Sequence, residues 1–281
     1  MRHTGFFLAA LAALLYSILH TTDLSAHNHA RTSPTASVEA LIERICPGAS
    51  HNFSILIDTS AAESYFELSQ GHDNRITIAA DCPVSAAAGL HWYLKYFAGI
   101  HLSWNCMQAD LPEILPPVPA PERHYTRTEY RYYLNYCTFS YSMAFWDWER
   151  WEKELDWMAL HGINLCLAAV GSDALWLNVL RRLGYSESDA AEFIAGPAFQ
   201  AWWLMNNLEC WGGPNPDFWY KRNIGLQNRI LQRMRELGIE PVLPGYSGML
   251  PHDAAERLGL NVADPGLWQG YHRHAFHTPA D

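Results

Sequence analysis

Arg-Tyr-Tyr-Leu-Asn-Tyr-Cys-Thr (131–138), Phe-Trp-Asp-Trp-Glu-Arg-Trp (145–151) and His-Gly-Ile-Asn-Leu-Cys-Leu-Ala-Ala-Val-Gly (161–171) read in succession as strand, loop, helix and strand. Tyr132 to Cys137 is rich in β-prone side chains, which predicts the first strand. From Asp147 to His161 the residues Trp148, Trp151, Leu155 and Met158 fall on one helical stripe, while Glu149, Arg150, Glu152, Lys153, Glu154 and Asp156 occupy the other faces. Asp147 has the acceptor side chain of an N-cap, and Gly162 suits the left-handed residue after a helix. Ile163 to Val170 is almost continuously apolar, as expected of a strand buried on both faces. The unit is therefore βαβ with a parallel sheet. Its first loop begins with Asn135, Cys137 and Tyr141 at the carboxyl end of a strand, where α/β folds hold ligands.

The same pattern continues downstream. Ser172 to Leu183 has helical spacing, Ser186 to Ile194 a second short helix, and Gly196-Pro197 a break. Ala198 to Trp211 is dense in aromatic and amide side chains. After Asn215-Pro216 a long helix is expected, with Leu226, Ile230, Met234 and Leu237 as its buried stripe and Gly238 as its stop. Ile239 to Pro244 then reads as a third parallel strand, and His252 to Leu258 as a further helix. Tyr271 to Asp281 shows neither strand nor helix pattern. From Arg127 onward the chain has far fewer than the roughly 250 residues of a (β/α)8 barrel. Either a smaller open sheet or the front part of a longer barrel follows, and the second is the expectation.

Upstream, Arg2 and His3, the apolar run Phe6 to Leu19 and Leu24-Ser25-Ala26 resemble an export signal over residues 1–26. The run is shorter than the roughly 18–20 residues of a membrane span, so a secreted or periplasmic product with no membrane segment after cleavage is expected. Ser37 to Cys46 predicts a helix, Phe53 to Asp58, Tyr65 to Ser69 and Arg75 to Ala79 three strands, Ser85 to Phe97 a second helix, and Ile100 to Trp104 a short strand. Proline-rich Leu111 to Pro121 reads as a semi-rigid connection. A small α+β domain over 27–121 and a second over 122–281 follow.

A formal net charge of -10 over 281 residues gives no general basic surface for nucleic acid. Six cysteines are too sparse for a disulfide framework. Twelve Trp and 14 Tyr are more than packing usually requires, and aromatic platforms are a common way to hold sugar rings, although core and interface roles account for most such residues.

The segments 131–138 and 147–165, Gly-Pro-Ala-Phe-Gln-Ala-Trp at 196–202 and Pro-Val-Leu-Pro-Gly-Tyr-Ser-Gly at 241–248 closely resemble the family 89 glycoside hydrolases, the α-N-acetylglucosaminidases. Ser-Ala-Ala-Ala-Gly-Leu-His-Trp-Tyr-Leu-Lys at 85–95 resembles the family's small N-terminal domain. The resemblance implies an α+β N-terminal domain followed by an incomplete (β/α)8 TIM-type barrel, and removal of terminal α-linked N-acetylglucosamine from glycans with retention. It implies two catalytic glutamates in an Asn-Glu and a Pro-Glu-Gly segment. This sequence contains neither, so both are expected beyond Asp281 and no local acid is assigned the role. What carries over is a substrate-binding wall: Asn135, Cys137 and Tyr141 from the first strand's loop, Trp202 and Met205 after Gly-Pro-Ala-Phe, and Trp268 further on. Asn135 and Tyr141 offer hydrogen bonds to hydroxyls, and Trp202 or Trp268 a cover for the apolar ring face. Ordinary core is the competing reading of the tryptophans, and a small buried thiol that of Cys137.

Other candidates carry less. His272, His274 and His277 lack acidic or cysteine partners at ligand spacing, so no metal and no cofactor is expected. Glu209 reads as a solvated helix-end acid more readily than a pocket-edge one, and Asp147, Glu149 and Glu152 as cap and solvated face. Two alternatives to a catalytic fragment stand: a non-catalytic glycan-binding or structural remnant, and an enzyme split from a complementing C-terminal polypeptide. An adjacent continuation carrying the two glutamate segments separates them.

Overall fold

The computed structural model describes residues 32–278, so the expected signal at 1–26 lies outside the described residues. Helix α1 (Pro34–Ile45) buries Val38, Leu41, Ile42 and Ile45, the stripe its spacing predicts. Strands β1 (Phe53–Ile57), β2 (Ser64–Gln70) and β3 (Ile76–Ala80) precede helix α2 (Pro83–Tyr96), and β4 (Glu122–Thr126) completes a four-stranded sheet in the order β1-β3-β2-β4. β1 and β3 run parallel, while β2 is antiparallel to both β3 and β4. α2 lies close on this sheet at Gly89, where a Cβ would press on Ile78 and Phe66. The expected strand at 100–104 is instead irregular, with a single bridge in which Ser103 and Cys106 exchange backbone hydrogen bonds. Leu102 is buried in the core there, with Ile100 partly buried against it. The proline-rich run packs back on this unit, with Val118 buried and Tyr93 donating its hydroxyl to Pro116 O at 2.8 Å.

The second sheet is parallel. β5 (Tyr132–Tyr133), helix α3 (Trp148–Leu160) and β6 (Leu165–Leu167) form the expected βαβ unit, but β5 is shorter than the predicted strand. Asn135 explains why: its side-chain oxygen accepts from Cys137 N at 2.7 Å and caps a turn over Tyr136–Thr138 that continues through Phe139–Met143. A local side-chain acceptor here outcompetes strand pairing. Asp147 caps α3 through Arg150 N at 3.0 Å, and Gly162 is left-handed. After β6 come α4 (Ser172–Arg182), α5 (Glu187–Phe193), α6 (Gln200–Leu204) and the long α7 (Asp217–Leu237), whose predicted stripe is buried, before β7 (Glu240–Val242) pairs parallel with β6. The order β5-β6-β7 is α/β, and no closed barrel forms among the described residues.

The chain then carries β8 (Met249–Leu250), α8 (Ala254–Leu258), β9 (Val262–Ala263), the hairpin β10 (Leu267–Trp268) and β11 (Tyr271–His272), and β12 (Ala275–His277). β12 is the central strand of an antiparallel β8-β12-β9 sheet, contrary to the patternless reading of this tail. Three residues are too few to show alternation, so the strand owes its form to neighbours distant in sequence.

One hydrophobic core runs from α1 and the first sheet through α2 and α3 to β6 and α7. Within it lie two acids that fall outside the apolar stripe of α3. Asp156 receives Arg44 of α1 at 2.7 and 2.8 Å and has Arg233 of α7 at 3.8 Å. Glu154, fully buried, accepts from Trp104 Nε1 (2.7 Å), Tyr133 OH (2.9 Å) and Arg150 Nη2 (2.9 Å). α3 is covered on several sides, so these two acids are interior and each is paired. Replacing Asp156→Ala leaves two arginines facing each other in the seam and is expected to cost about 3 kcal/mol in urea unfolding. A loss under about 0.5 kcal/mol, the ordinary surface-substitution range, would contradict that reading of the seam.

Candidate functional site

The loops after β5, β6 and β7 all leave the same end of the parallel sheet. The β5 loop is fixed to the insertion between β6 and α7, which carries α4, α5 and α6, by Ser140, whose buried hydroxyl accepts from Ala201 N at 2.9 Å. That contact sets Tyr141, 74% exposed, edge-to-face on Trp202 with ring centroids 5.1 Å apart. Asn135 and Cys137 sit one turn earlier on the same loop, Asn135 exposed with its carbonyl oxygen engaged as the cap and Cys137 half-buried. Met205 closes α6 and is half-buried.

The insertion rests on its own core, in which Trp176, Leu180, Phe193, Trp203 and Tyr220 are buried and Trp202 and Trp268 are partly buried against them. Trp203, adjacent to Trp202, is wholly interior and donates Nε1 to Phe193 O at 2.9 Å, so of the two neighbours only Trp202 reaches the loop end. Beyond Met205 the chain turns at Asn206, which is left-handed (φ 61) and held from both sides: Ser247 donates to its side-chain oxygen (3.2 Å) and Arg273 Nε to its backbone oxygen (3.1 Å). Trp268 enters from the β10–β11 hairpin, directly across from Tyr271. Of the six candidate wall residues, the structure thus joins Tyr141 to Trp202 by direct contact and places Asn135 and Cys137 on Tyr141's loop, while Met205 lies at the end of α6 and Trp268 on the β10–β11 hairpin.

Two acids at this end of the sheet differ from their sequence reading or were missed by it. Glu209 is not a solvated helix-end acid: its side chain is 16% exposed and lies 3.5 Å from His252 Nε2. Burial pushes its carboxyl above the usual range, against the opposing influence of His252 and His272. Asp173, in the first turn of α4, is fully buried and accepts from Trp219 Nε1 (3.0 Å), Asn223 Nδ2 (3.2 Å) and Ala174 N (2.8 Å). Burial raises its carboxyl as well. An acid opening a helix after a left-handed Gly171 is a weak signal that reads equally as a cap.

The three histidines do not converge. His272 is exposed and His277 half-buried, while His274 is enclosed by Phe193 (5.0 Å) and Trp203 (5.6 Å) with no hydrogen bond to either ring nitrogen among the described residues. Among the described residues no group of three His, Cys, Asp or Glu side chains is placed to hold a metal ion, and no helix is long and apolar enough to cross a membrane. A groove of about 210 Å3 lies between α3 and α7 rather than among these loops, and its Arg233 is already paired with Glu152 (2.9 Å) and Glu236 (3.1 Å).

Comparison with known proteins places two segments in one family. Residues 131–281 match the alpha-N-acetylglucosaminidase (NAGLU) tim-barrel domain, and residues 36–117 the NAGLU N-terminal domain. Human alpha-N-acetylglucosaminidase is 43% identical over 240 residues, covering 83% of this chain and 32% of the human protein. A doubly Glu→Gln-substituted family 89 enzyme from Clostridium perfringens, in complex with its substrate GlcNAc-alpha-1,4-galactose, superposes with a TM-score of 0.84 at 33% identity, over 94% of this chain and 30% of that one. The Clostridium perfringens enzyme in complex with 2-acetamido-1,2-dideoxynojirmycin gives 0.83 at 34% identity with the same coverage. The chain therefore spans about a third of the length of the relatives it matches.

Burial pushes His274 down to about 3, below the roughly 6.5 of an unfolded imidazole. The folded protein keeps this ring neutral while the unfolded chain takes up a proton, so its contribution is unimpaired above about pH 6.5 and stability falls as pH drops toward 3. The loss between pH 7 and pH 5 is ~2 kcal/mol. His274→Phe is expected to shrink the difference in Tm between those two pH values; an unchanged difference contradicts the assignment.

Proposed function

The chain belongs to the alpha-N-acetylglucosaminidase family of glycoside hydrolases, and from that premise we propose that it is the N-terminal part of an exported exo-acting enzyme that removes terminal α-linked N-acetylglucosamine from glycans. In this reading β5, β6 and β7 are the first three strands of a (β/α)8 barrel, and the loops that follow them form one wall of the sugar pocket. Tyr141 and Trp202 give an aromatic corner against the apolar ring face or the acetamido methyl, Asn135 a polar group for hydroxyls, and Trp268 and Met205 the remaining apolar lining. Cys137 packs beneath the sugar as a small thiol.

The chemistry of a retaining glycosidase needs two carboxyl groups about 5–5.5 Å apart, one to attack the anomeric carbon and one to protonate the leaving oxygen and then activate water. The carboxyls near this end of the sheet are engaged otherwise: Asp173 holds Trp219 and Asn223, and Glu209 faces His252. We therefore assign the acid pair to polypeptide outside this chain. The observation that carries the reading is the Tyr141–Trp202 corner, held on the Ser140–Ala201 tie at the strand ends, in a chain of this family.

The purified chain is expected to bind N-acetylglucosamine, read by tryptophan fluorescence, and to release no phenol from an aryl α-N-acetylglucosaminide. Trp202→Ala should weaken binding about tenfold, or ~1.4 kcal/mol, the scale of one aromatic contact. Turnover that persists through purification overturns the placement of the acids. A folded chain that binds no sugar overturns the pocket.

A further inference from the structure

We propose that the seam between α2 and the carboxyl end of α3 is an acid-sensitive latch, closed while His91, His101 and His161 are neutral and opened as they take up protons. His91, on α2, reaches across to α3, where its Nδ1 lies 3.1 Å from Leu160 O. His161 directly follows α3, with Nδ1 2.8 Å from Trp157 O and its ring stacked on Trp157 at 4.3 Å. The rings of His91 and His161 pack against each other with centroids 4.6 Å apart, and His101, on the irregular segment after α2, lies 6.2 Å from His91.

In both His91 and His161 the Nδ1 faces a backbone carbonyl, so it carries the proton and donates, and Nε2 of the neutral ring is left as a bare acceptor. For His91 that atom is closed off from solvent and has no hydrogen-bond partner among the described residues. A second proton on His91 therefore has no acceptor while the seam is closed, and its charge faces His161 and His101, with Lys95 one turn further along α2. His101 and His161 reach solvent and take up protons first. Partial burial, then His101 and Lys95, hold His161 below the usual imidazole range, although the Trp157 carbonyl favours its charged form. Burial first, then His161, push His91 down to about 4. The side chains acting on both rings are basic, so acid adds like charge to the seam.

The cluster sits where the two sheets are joined. Gly89, two residues before His91, is the point at which α2 lies close on the first sheet. On the other side Gly162 lies so near α2 that a Cβ there would be 3.8 Å from the Cβ of Ala88, and Arg131 Nε donates to Gly162 O, tying the start of β5 to the same corner. Opening at His91 thus separates the first sheet from the starts of β5 and β6, at the end of the parallel sheet away from the candidate pocket. In an open seam His91 titrates near the roughly 6.5 of a free imidazole, and in the closed seam near 4. The closed form is therefore favoured in full above about pH 6.5 and loses ground as pH falls toward 4, with opening about twentyfold more frequent at pH 5 than at pH 7.

Hydrogen exchange of the full chain, followed by mass spectrometry at pH 7 and pH 5 and corrected for intrinsic rates, reads that opening. Amides in 88–97 and 155–163 are expected to lose about twentyfold in protection at the lower pH. His91→Gln keeps a donor for Leu160 O but takes up no proton. It should hold the change in those amides below about threefold and leave the response of the segment around Phe193 and Trp203, which His274 governs, as it was. Unchanged protection in the parent chain at pH 5, or a loss that stays above about threefold in His91→Gln, overturns the latch. A reading that needs no variant comes from heteronuclear NMR of the histidine rings in the parent chain: His91 is expected to remain neutral at pH 5, and a midpoint near the roughly 6.5 of a free imidazole overturns the proposal.

Discussion

Glu154 and Asp156 stand two residues apart on α3, roughly 200° around the helix, and each is clamped from a different side. Asp156 takes the paired hydrogen bonds of Arg44 from α1 and faces Arg233 from α7. Glu154 takes Trp104 from the N-terminal unit and Tyr133 from β5, with Arg150 stacked over Trp146 (3.9 Å) and Trp104 (4.7 Å). Buried charges of this kind specify geometry more than they add stability, because an alternative packing would strand a carboxylate in the core. α3 therefore fixes the first sheet against the parallel sheet and, through Tyr133, holds β5.

From that point the candidate site is a matter of short chain segments held by few groups. Asn135 ends β5 by capping its own turn, Ser140 ties the loop to α6, and Tyr141 reaches Trp202. The opposite side is carried by a separate hydrophobic cluster beneath α4, α5 and α6, which buries Trp203 so that Trp202 can face outward. The local packing explains how a loop and a distant insertion meet.

Much of this was legible in the sequence, and what was missed has a common physical cause. The stripes of α1, α3 and α7, the Asp147 cap and the left-handed Gly162 and Gly238 are local features whose signal lies within a few residues. The wall residues came from resemblance to a family, not from periodicity. Hydrophobic spacing marks buried apolar faces and says nothing of acids buried by partners far along the chain, so Glu154 and Asp156 fall outside the predicted buried stripe. β-propensity overextended β5 because it does not weigh the competing Asn135 cap. β12 and the enclosure of Glu209 depend on contacts between the insertion and the tail, which no window of sequence contains.

On the proposed reading, this chain builds one wall of an aminosugar pocket and the acids that cleave the bond lie in other polypeptide. The most direct test is an NMR titration of the isotopically labelled chain with methyl α-N-acetylglucosaminide, following backbone and indole shifts and the glycoside signals together. The account predicts shifts confined to Asn135–Tyr141, Trp202–Met205 and Trp268, with the glycoside intact throughout. Shifts centred elsewhere, such as the groove between α3 and α7, or the appearance of methanol and free sugar, would contradict it.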